Sequence, residues 1–231
     1  MDRLEMGYPQ LVSSPALASV LFPASVVTAE TFTFPGPEVL FPAERDQVSK
    51  ANAKRVADFA AGRQCARAAL TQLGVAQGAV LSSADRLPLW PDGVVGSITH
   101  CAGYCGAAVA RACSARSLGF DAEPNESLDS DLIDLVCAEG ELEAISLQTD
   151  IERERAAKLV FSAKESVFKC QYPLTARYLE FADVAVSFDF AGGCFAATIA
   201  ELGVSLEGRF LISQGLILTG CVADSTFGGR R

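Results

Sequence analysis

Between Thr149 and Gln171 the apolar side chains Ala156, Val160, Ala163, Val167 and Cys170 recur every 3.6 residues, and no Gly or Pro interrupts the run. The spacing predicts one long helix from Thr149 or Asp150 to Gln171, stopped before Pro173. A helix of that length must lay its apolar face on another layer, so the chain around it has to supply one. Its opposite face carries Lys158, Ser162, Glu165 and Lys169, which puts a carboxylate and two lysines on one stripe.

A second stretch, Leu118 to Pro124, reads as extended backbone. Side chains two apart in a strand point the same way, so Asp121 and Glu123 project together about 6 to 7 Å apart. Two carboxylates aimed at one spot call for a cation. Hard oxygen donors without a Cys or His cluster suit magnesium, and magnesium beside a lysine suggests phosphoryl transfer. On spacing alone, a strand end and a solvated helix face remain the commoner meaning of such residues. The same trio would also serve another magnesium-dependent enzyme that cleaves a nucleotide pyrophosphate.

The 231 residues, half of them hydrophobic, suffice for one large domain or two small ones with a substantial core. Residues 1–120 carry ten basic and nine acidic side chains, and residues 121–231 nine and nineteen. Neither part offers the basic stripe that a nucleic-acid backbone requires. One basic cluster, Arg45, Lys50, Lys54, Arg55, Arg63 and Arg67, would suit a smaller phosphate ligand. Asp2 and Glu5 stand where a signal peptide needs positive charge, Pro9, Pro15 and Pro23 break the apolar run behind them, and no later segment reaches membrane-spanning length. The expectation is a cytoplasmic protein with no membrane partner. The eight scattered cysteines then read as reduced core residues, and Cys101 with Cys105 lacks the second pair a zinc site needs.

Taken in order, the chain predicts a strand near Val26 to Phe34 and a helix from Ser49 to a stop at Gly74, with Arg63 and Arg67 one turn apart on one side. Val94 to Thr99, Gly106 to Ala110 and Leu118 to Glu123 follow at hairpin spacing as an antiparallel meander. A short helix over Leu132 to Cys137, capped by Ser130, breaks at Gly140 ahead of the long helix. Asp183 to Phe190, Cys194 to Ala200 and Arg209 to Val222 read as strands, with a loop at Gly203 to Gly208 and a frayed tail from Gly228. Each part is a helix on antiparallel strands, an α+β arrangement dividing into residues 1–117 and 118–231.

Four motifs carry a family resemblance. Gly119-Phe120-Asp121-Ala122-Glu123, followed by Phe161-Ser162-Ala163-Lys164-Glu165-Ser166-Val167-Phe168-Lys169, resembles the paired signature of 4′-phosphopantetheinyl transferases of the type that activates enterobactin and surfactin synthetases. Gly62 to Leu70 is similar to the family's arginine-bearing helix, and Pro88 to His100 to its Gly-Ser-Ile-Thr-His segment. The match spans about Glu44 to Pro173. It implies two similar α+β halves related by a pseudo-twofold, antiparallel sheets with packed helices, and an active site in the cleft between them.

The resemblance also implies the reaction: the 4′-phosphopantetheine arm of coenzyme A passes to a serine of an apo acyl or peptidyl carrier protein, and 3′,5′-ADP is released. Asp121, Glu123 and Glu165 are the implied magnesium ligands. Arg55, Arg63, Arg67, Ser97, Thr99, His100, Lys164 and Lys169 are the implied coenzyme A contacts, with Lys164 lying off the Glu165 and Lys169 stripe. The serine needs a base, either Glu165 or a water polarised by Glu123, while Lys169 and His100 would stabilise charge on the phosphates and leaving group. The partners implied are coenzyme A and a carrier, for an enzyme acting as a monomer. Phe161 stands where many members have Trp, and Cys101 follows His100 where Ser is common.

Overall fold

The computed structural model describes residues 16–227, so Asp2 to Pro15 and the tail from Gly228 lie outside the described residues. The first half comprises β1 (Val26–Thr31), α1 (Pro42–Val48), α2 (Ala53–Gln72), β2 (Val94–Cys101) and β3 (Tyr104–Arg111). The second comprises β4 (Ser117–Pro124), α3 (Ser130–Val136), α4 (Glu141–Ser146), α5 (Arg153–Thr175), β5 (Val184–Asp189), β6 (Cys194–Ile199), β7 (Val204–Ser213) and β8 (Leu216–Ala223). The strands form two antiparallel sheets, ordered β1-β3-β2 and β4-β8-β7-β6-β5.

The two sheets follow one plan. In each, the first strand is followed by a long helix and then pairs with the last strand of that half, β1 with β3 and β4 with β8. β1-β3-β2 thus corresponds to β4-β8-β7, and the β5–β6 hairpin is an addition to the second half. Ala61, Cys65, Ala66, Ala69 and Leu70 of α2 bury against β3, while Ala156, Val160, Ala163, Val167 and Cys170 of α5 bury against the larger sheet. A third cluster belongs to both halves: Leu17, Leu21 and Phe22 near the start of the chain meet Tyr104, Leu118, Phe120 and Leu218. Phe22 and Phe120 pack edge to face, ring centroids 5.7 Å apart.

The differences from the sequence expectation have local causes. The helix expected from Ser49 begins at Ala53, where the Asn52 side chain accepts the Arg55 N–H. The separate α1 ahead of it opens on Pro42, and the Glu44 carboxylate accepts the Phe41 N–H at 2.9 Å. α3 starts at Ser130 itself, with Asp129 before it in the capping position. α5 runs through Pro173 to Thr175, although Pro173 has no N–H to give the Lys169 carbonyl, and Ala176 closes the helix at φ 51°, its N–H donating to the Tyr172 carbonyl. The expected strand Arg209 to Val222 is a hairpin, β7 and β8, turning at Gln214 (φ 52°) and Gly215 (φ 74°), with left-handed backbone at both turn positions. Its first strand begins at Val204, inside the expected loop.

One contact fixes how α5 lies on its sheet. A Cβ placed on Gly119 of β4 would stand 1.8 Å from the Ser166 carbonyl oxygen, so only glycine allows helix and strand to meet backbone to backbone. This close seating lowers the polar stripe of α5 onto Asp121 and Glu123. All eight cysteines are unpaired. Among the described residues no helix is long and apolar enough to cross a membrane.

Candidate functional site

The halves are joined where two sheet edges meet. Ser97 Oγ of β2 accepts the Phe120 N–H of β4 at 3.1 Å, and Thr99 Oγ1 accepts the Ala122 N–H at 3.0 Å. Both pairs step by two residues, so hydroxyls replace the carbonyls of a backbone ladder. The constant offset brings His100 level with Glu123. Ser97 and Thr99, implied as coenzyme A contacts, are buried in this seam with their oxygens engaged.

Asp121 is the centre of the seam and is buried. Its Oδ2 accepts from Ser162 Oγ at 2.8 Å, and its Oδ1 pairs with Lys169 Nζ at 2.6 Å. Lys169 also donates to the Phe120 carbonyl at 3.2 Å and to Thr99 Oγ1 at 3.4 Å, so it touches both halves. Glu123 Oε2 pairs with Lys158 Nζ at 3.2 Å. Glu165, in contrast, makes no hydrogen bond or ion pair among the described residues. Burial first, and then the negative charge of Asp121, raises the pKa of both Glu123 and Glu165.

A carboxyl with a raised folded-state pKa stabilises the fold only while it is protonated, and that contribution is lost as pH rises through the folded value. Glu165→Gln, always neutral, is therefore expected to raise the melting temperature of the metal-free protein at pH 7.5. The gain should vanish below about pH 4, where Glu165 is protonated in both states. Thermal melts of both proteins across that range check it.

Asp121, Glu123 and Glu165 bring only carboxylate oxygens to the seam, with no nitrogen or sulfur donor among them, which is the donor type hard cations prefer. Among the described residues no group of three or more His, Cys, Asp or Glu side chains is arranged to hold a metal ion. Lys158 and Lys169 stand on two of the three carboxylates instead.

Beside the carboxylates opens a cleft of about 510 Å³ lined by Phe34, Lys54, Asp58, His100, Cys101 and Glu123 among others. His100 is exposed at its mouth, yet the surrounding protein lowers its pKa by desolvation, with Asp58 and Asp121 opposing and Arg55 and Lys169 adding to the effect. The ring is thus neutral at pH 7. Burial, then Glu123 and Asp121, pushes the Cys101 thiol up to about 12. A slightly larger hollow, about 550 Å³, lies on the outer face of β6 to β8 and contains none of the expected site residues.

Three expected ligand contacts have partners within the fold. Lys164 is buried within the second half, 3.0 Å from Glu141 Oε2, and donates to the carbonyls of Val136 (2.8 Å) and Phe181 (3.0 Å). It lies off the stripe because it is one residue, about 100°, round the helix from Glu165. Arg67 pairs through Nη1 with the fully buried Glu44 at 2.9 Å and donates through Nη2 to the Val39 carbonyl at 2.7 Å. Arg63 donates to the Val80 carbonyl at 2.6 Å and to Ser82 Oγ at 2.7 Å, and lies 4.0 Å over the Phe59 ring. Desolvation brings its pKa down to about 10, with Glu44 opposing. Of the expected arginines, Arg55 alone is exposed.

Sequence reasoning passed over Lys158 and Ser162 as site residues although both stood on the polar stripe. Phe34 and Asp58 reach the cleft from separate elements, and no local pattern marks them.

Two lobes of one plan, joined at a seam of carboxylates and lysines beside an open cleft, describe a two-lobed α+β protein equipped to handle an anionic phosphate ligand. Residues 43–110 match the family described as the 4'-phosphopantetheinyl transferase N-terminal domain, and residues 117–210 the 4'-phosphopantetheinyl transferase superfamily. The chain is 41% identical over 218 residues to the 4'-phosphopantetheinyl transferase Svp of Streptomyces mobaraensis, an alignment covering 88% of this chain and 87% of that one. It is 37% identical over 219 residues to the 4'-phosphopantetheinyl transferase Npt of Nocardia iowensis, covering 88% and 98%. With enterobactin synthase component D of Salmonella typhi it shares 35% identity over 150 residues, covering 62% and 60%. The chain belongs to the 4′-phosphopantetheinyl transferase superfamily.

Proposed function

We propose that this protein transfers the 4′-phosphopantetheine arm of coenzyme A to a serine hydroxyl of an acyl or peptidyl carrier protein, releasing 3′,5′-ADP. The observation that carries the reading is the Asp121 centre, where one helix delivers Ser162 and Lys169 to a buried carboxylate flanked by Glu123 and Glu165. Asp121, Glu123 and Glu165 would hold magnesium, which when bound neutralises charge on the pyrophosphate. Lys169, fixed by Asp121 and two further acceptors, holds its ammonium where charge grows on the leaving phosphate. Glu165 is the group fitted to take the serine proton: its carboxylate is unengaged and its proton affinity is raised. His100, neutral at the cleft mouth, can donate one N–H to the ligand.

The cations on offer to coenzyme A are Lys54, which lines the cleft, and the exposed Arg55, whose charge is felt by His100 at the cleft mouth. Arg55→Ala is expected to raise KM for coenzyme A about tenfold or more with little change in kcat, the effect of losing a charge-assisted phosphate contact. Arg67→Ala should instead leave KM nearly unchanged and destabilise the fold, since it strands the buried Glu44. Steady-state kinetics beside urea unfolding separate the two.

The lobes 1–117 and 118–231 would divide the work, the first contributing cleft cations and His100, the second the carboxylates and catalytic helix. We further propose a cytoplasmic monomer whose partners are coenzyme A and a carrier and not nucleic acid or membrane, in keeping with a formal net charge of −9. The test is to incubate the protein with coenzyme A, magnesium and a panel of apo-carriers and to weigh the products. Addition of one phosphopantetheine to a carrier is the expected result. Release of 3′,5′-ADP at an equal rate without any carrier would replace this reading with pyrophosphate hydrolysis.

A further inference from the structure

The seam contains more cations than the chemistry above employs. Lys158 lies on α5 one turn before Ser162, and its Nζ is 3.2 Å from Glu123 Oε2. Both side chains are largely withdrawn from water, with 16% and 22% of their surfaces exposed, so this ion pair is not a solvated surface contact. The ammonium also lies 5.5 Å from the centre of the Phe161 ring, a second favourable seat that does not involve Glu123.

The seam charges are three carboxylates, Asp121, Glu123 and Glu165, against two ammoniums, Lys158 and Lys169. Lys169 is held by three acceptors drawn from two elements, whereas among the described residues Lys158 is held by Glu123 as its one hydrogen-bonding partner. A divalent cation that takes Glu123 must stand beside the Lys158 charge, and like charges at that range repel. A flexible four-carbon stem lets the ammonium leave without moving the helix. Glu123 also lines the open cleft, so an anionic ligand entering there meets the released ammonium.

We infer that Lys158 is a displaceable counter-ion. It occupies Glu123 in the free protein, competes there with the divalent cation, and makes tight metal binding wait for a phosphate-bearing ligand that can accept the ammonium. This rests on the assignment of Glu123 as a metal ligand. Lys158 in this role positions charge and takes no part in bond making. Binding is reciprocal: the phosphate ligand tightens the metal by the same factor as the metal tightens the phosphate ligand.

The experiment is manganese titration followed by electron paramagnetic resonance, without substrate turnover. Wild type, Lys158→Met, Lys158→Gln and Glu123→Gln are each titrated alone and with coenzyme A, after circular dichroism has confirmed folding. Lys158→Met is expected to bind manganese about tenfold tighter than wild type in the absence of coenzyme A. The tightening that coenzyme A produces in wild type should shrink in that variant. Lys158→Gln, which keeps a polar group but no charge, should behave in the same way and replaces Lys158→Met if that variant fails to fold. Manganese affinity equal to or weaker than wild type in the folded lysine variant overturns the inference. If Glu123→Gln loses manganese in that same experiment, the metal assignment survives while the counter-ion role falls. If Glu123→Gln binds manganese as wild type does, the metal assignment at Glu123 falls and takes the inference with it.

Discussion

Asp121→Asn is expected to lower the rate of phosphopantetheine transfer by about a thousandfold or more, equivalent to about 4 kcal/mol of barrier. The substitution keeps the size of the side chain and one oxygen able to accept from Ser162 Oγ, so the seam remains packed. What disappears is the charge. Lys169, now 2.6 Å from an ionised oxygen, would face a neutral amide and lose the anchor that aims it. One of the three proposed metal donors weakens in the same step. Ser162→Ala is the contrast, since it removes only the hydroxyl's hydrogen bonds, with Asp121 and with Thr219, and leaves every charge in place. Carrier mass gain measured for both variants, with thermal melts to confirm folding, decides the matter; near-normal turnover by Asp121→Asn would remove Asp121 from the chemistry. The partner of Lys169 matters here. Glu165, one turn earlier on the same helix, does not pair with it, so Lys169 is oriented by β4 and by Thr99 across the seam.

The second large effect is one of stability. Glu141→Ala is expected to cost about 3 to 5 kcal/mol, the range for stranding one member of a buried ion pair. The Glu141 carboxylate accepts from Lys164, from Ala138 N–H at 2.7 Å and from Val186 N–H at 2.8 Å, so its loss frees two backbone donors as well as an ammonium. Against total domain stabilities of about 5 to 15 kcal/mol, such a loss is severe. Lys164→Met with Glu141→Gln should recover part of it, because no unpaired charge is then left inside. Urea unfolding gives the energies. The same variants separate a structural lysine from a coenzyme A contact: the structural role predicts that the folded double variant keeps its KM for coenzyme A.

The sequence made legible whatever depends on periodicity and on neighbours along the chain. The apolar stripe of α5 and the pairing of Asp121 with Glu123 by a two-residue step both follow from local geometry, and the structure seats the stripe residues Lys158, Ser162 and Lys169 directly on those carboxylates. What could not be read were partners far apart in sequence. Arg67 and Lys164 stand in motifs that suggest a ligand, but Glu44 and Glu141, each 23 residues upstream, satisfy them inside the fold. Ser97 and Thr99 likewise accept N–H groups of a strand edge 23 residues further on, which nothing in Gly96 to His100 reveals. The turn at Gln214-Gly215 was hidden because a single glycine in a β-rich run reads as easily as a bulge.

The absent side chain at Gly119 acts as a calibrated gap. Helix and strand touch there with no room for a Cβ, two residues from Asp121 along the same strand. A single methyl group at this buried point would work as a wedge, tilting the helix outward while leaving each polar group of the seam chemically unchanged. The reach of Lys169 and Ser162 is therefore encoded two residues before the acid they serve, in the smallest residue of the motif. Selection on the catalytic groups is in this way also selection on an empty position.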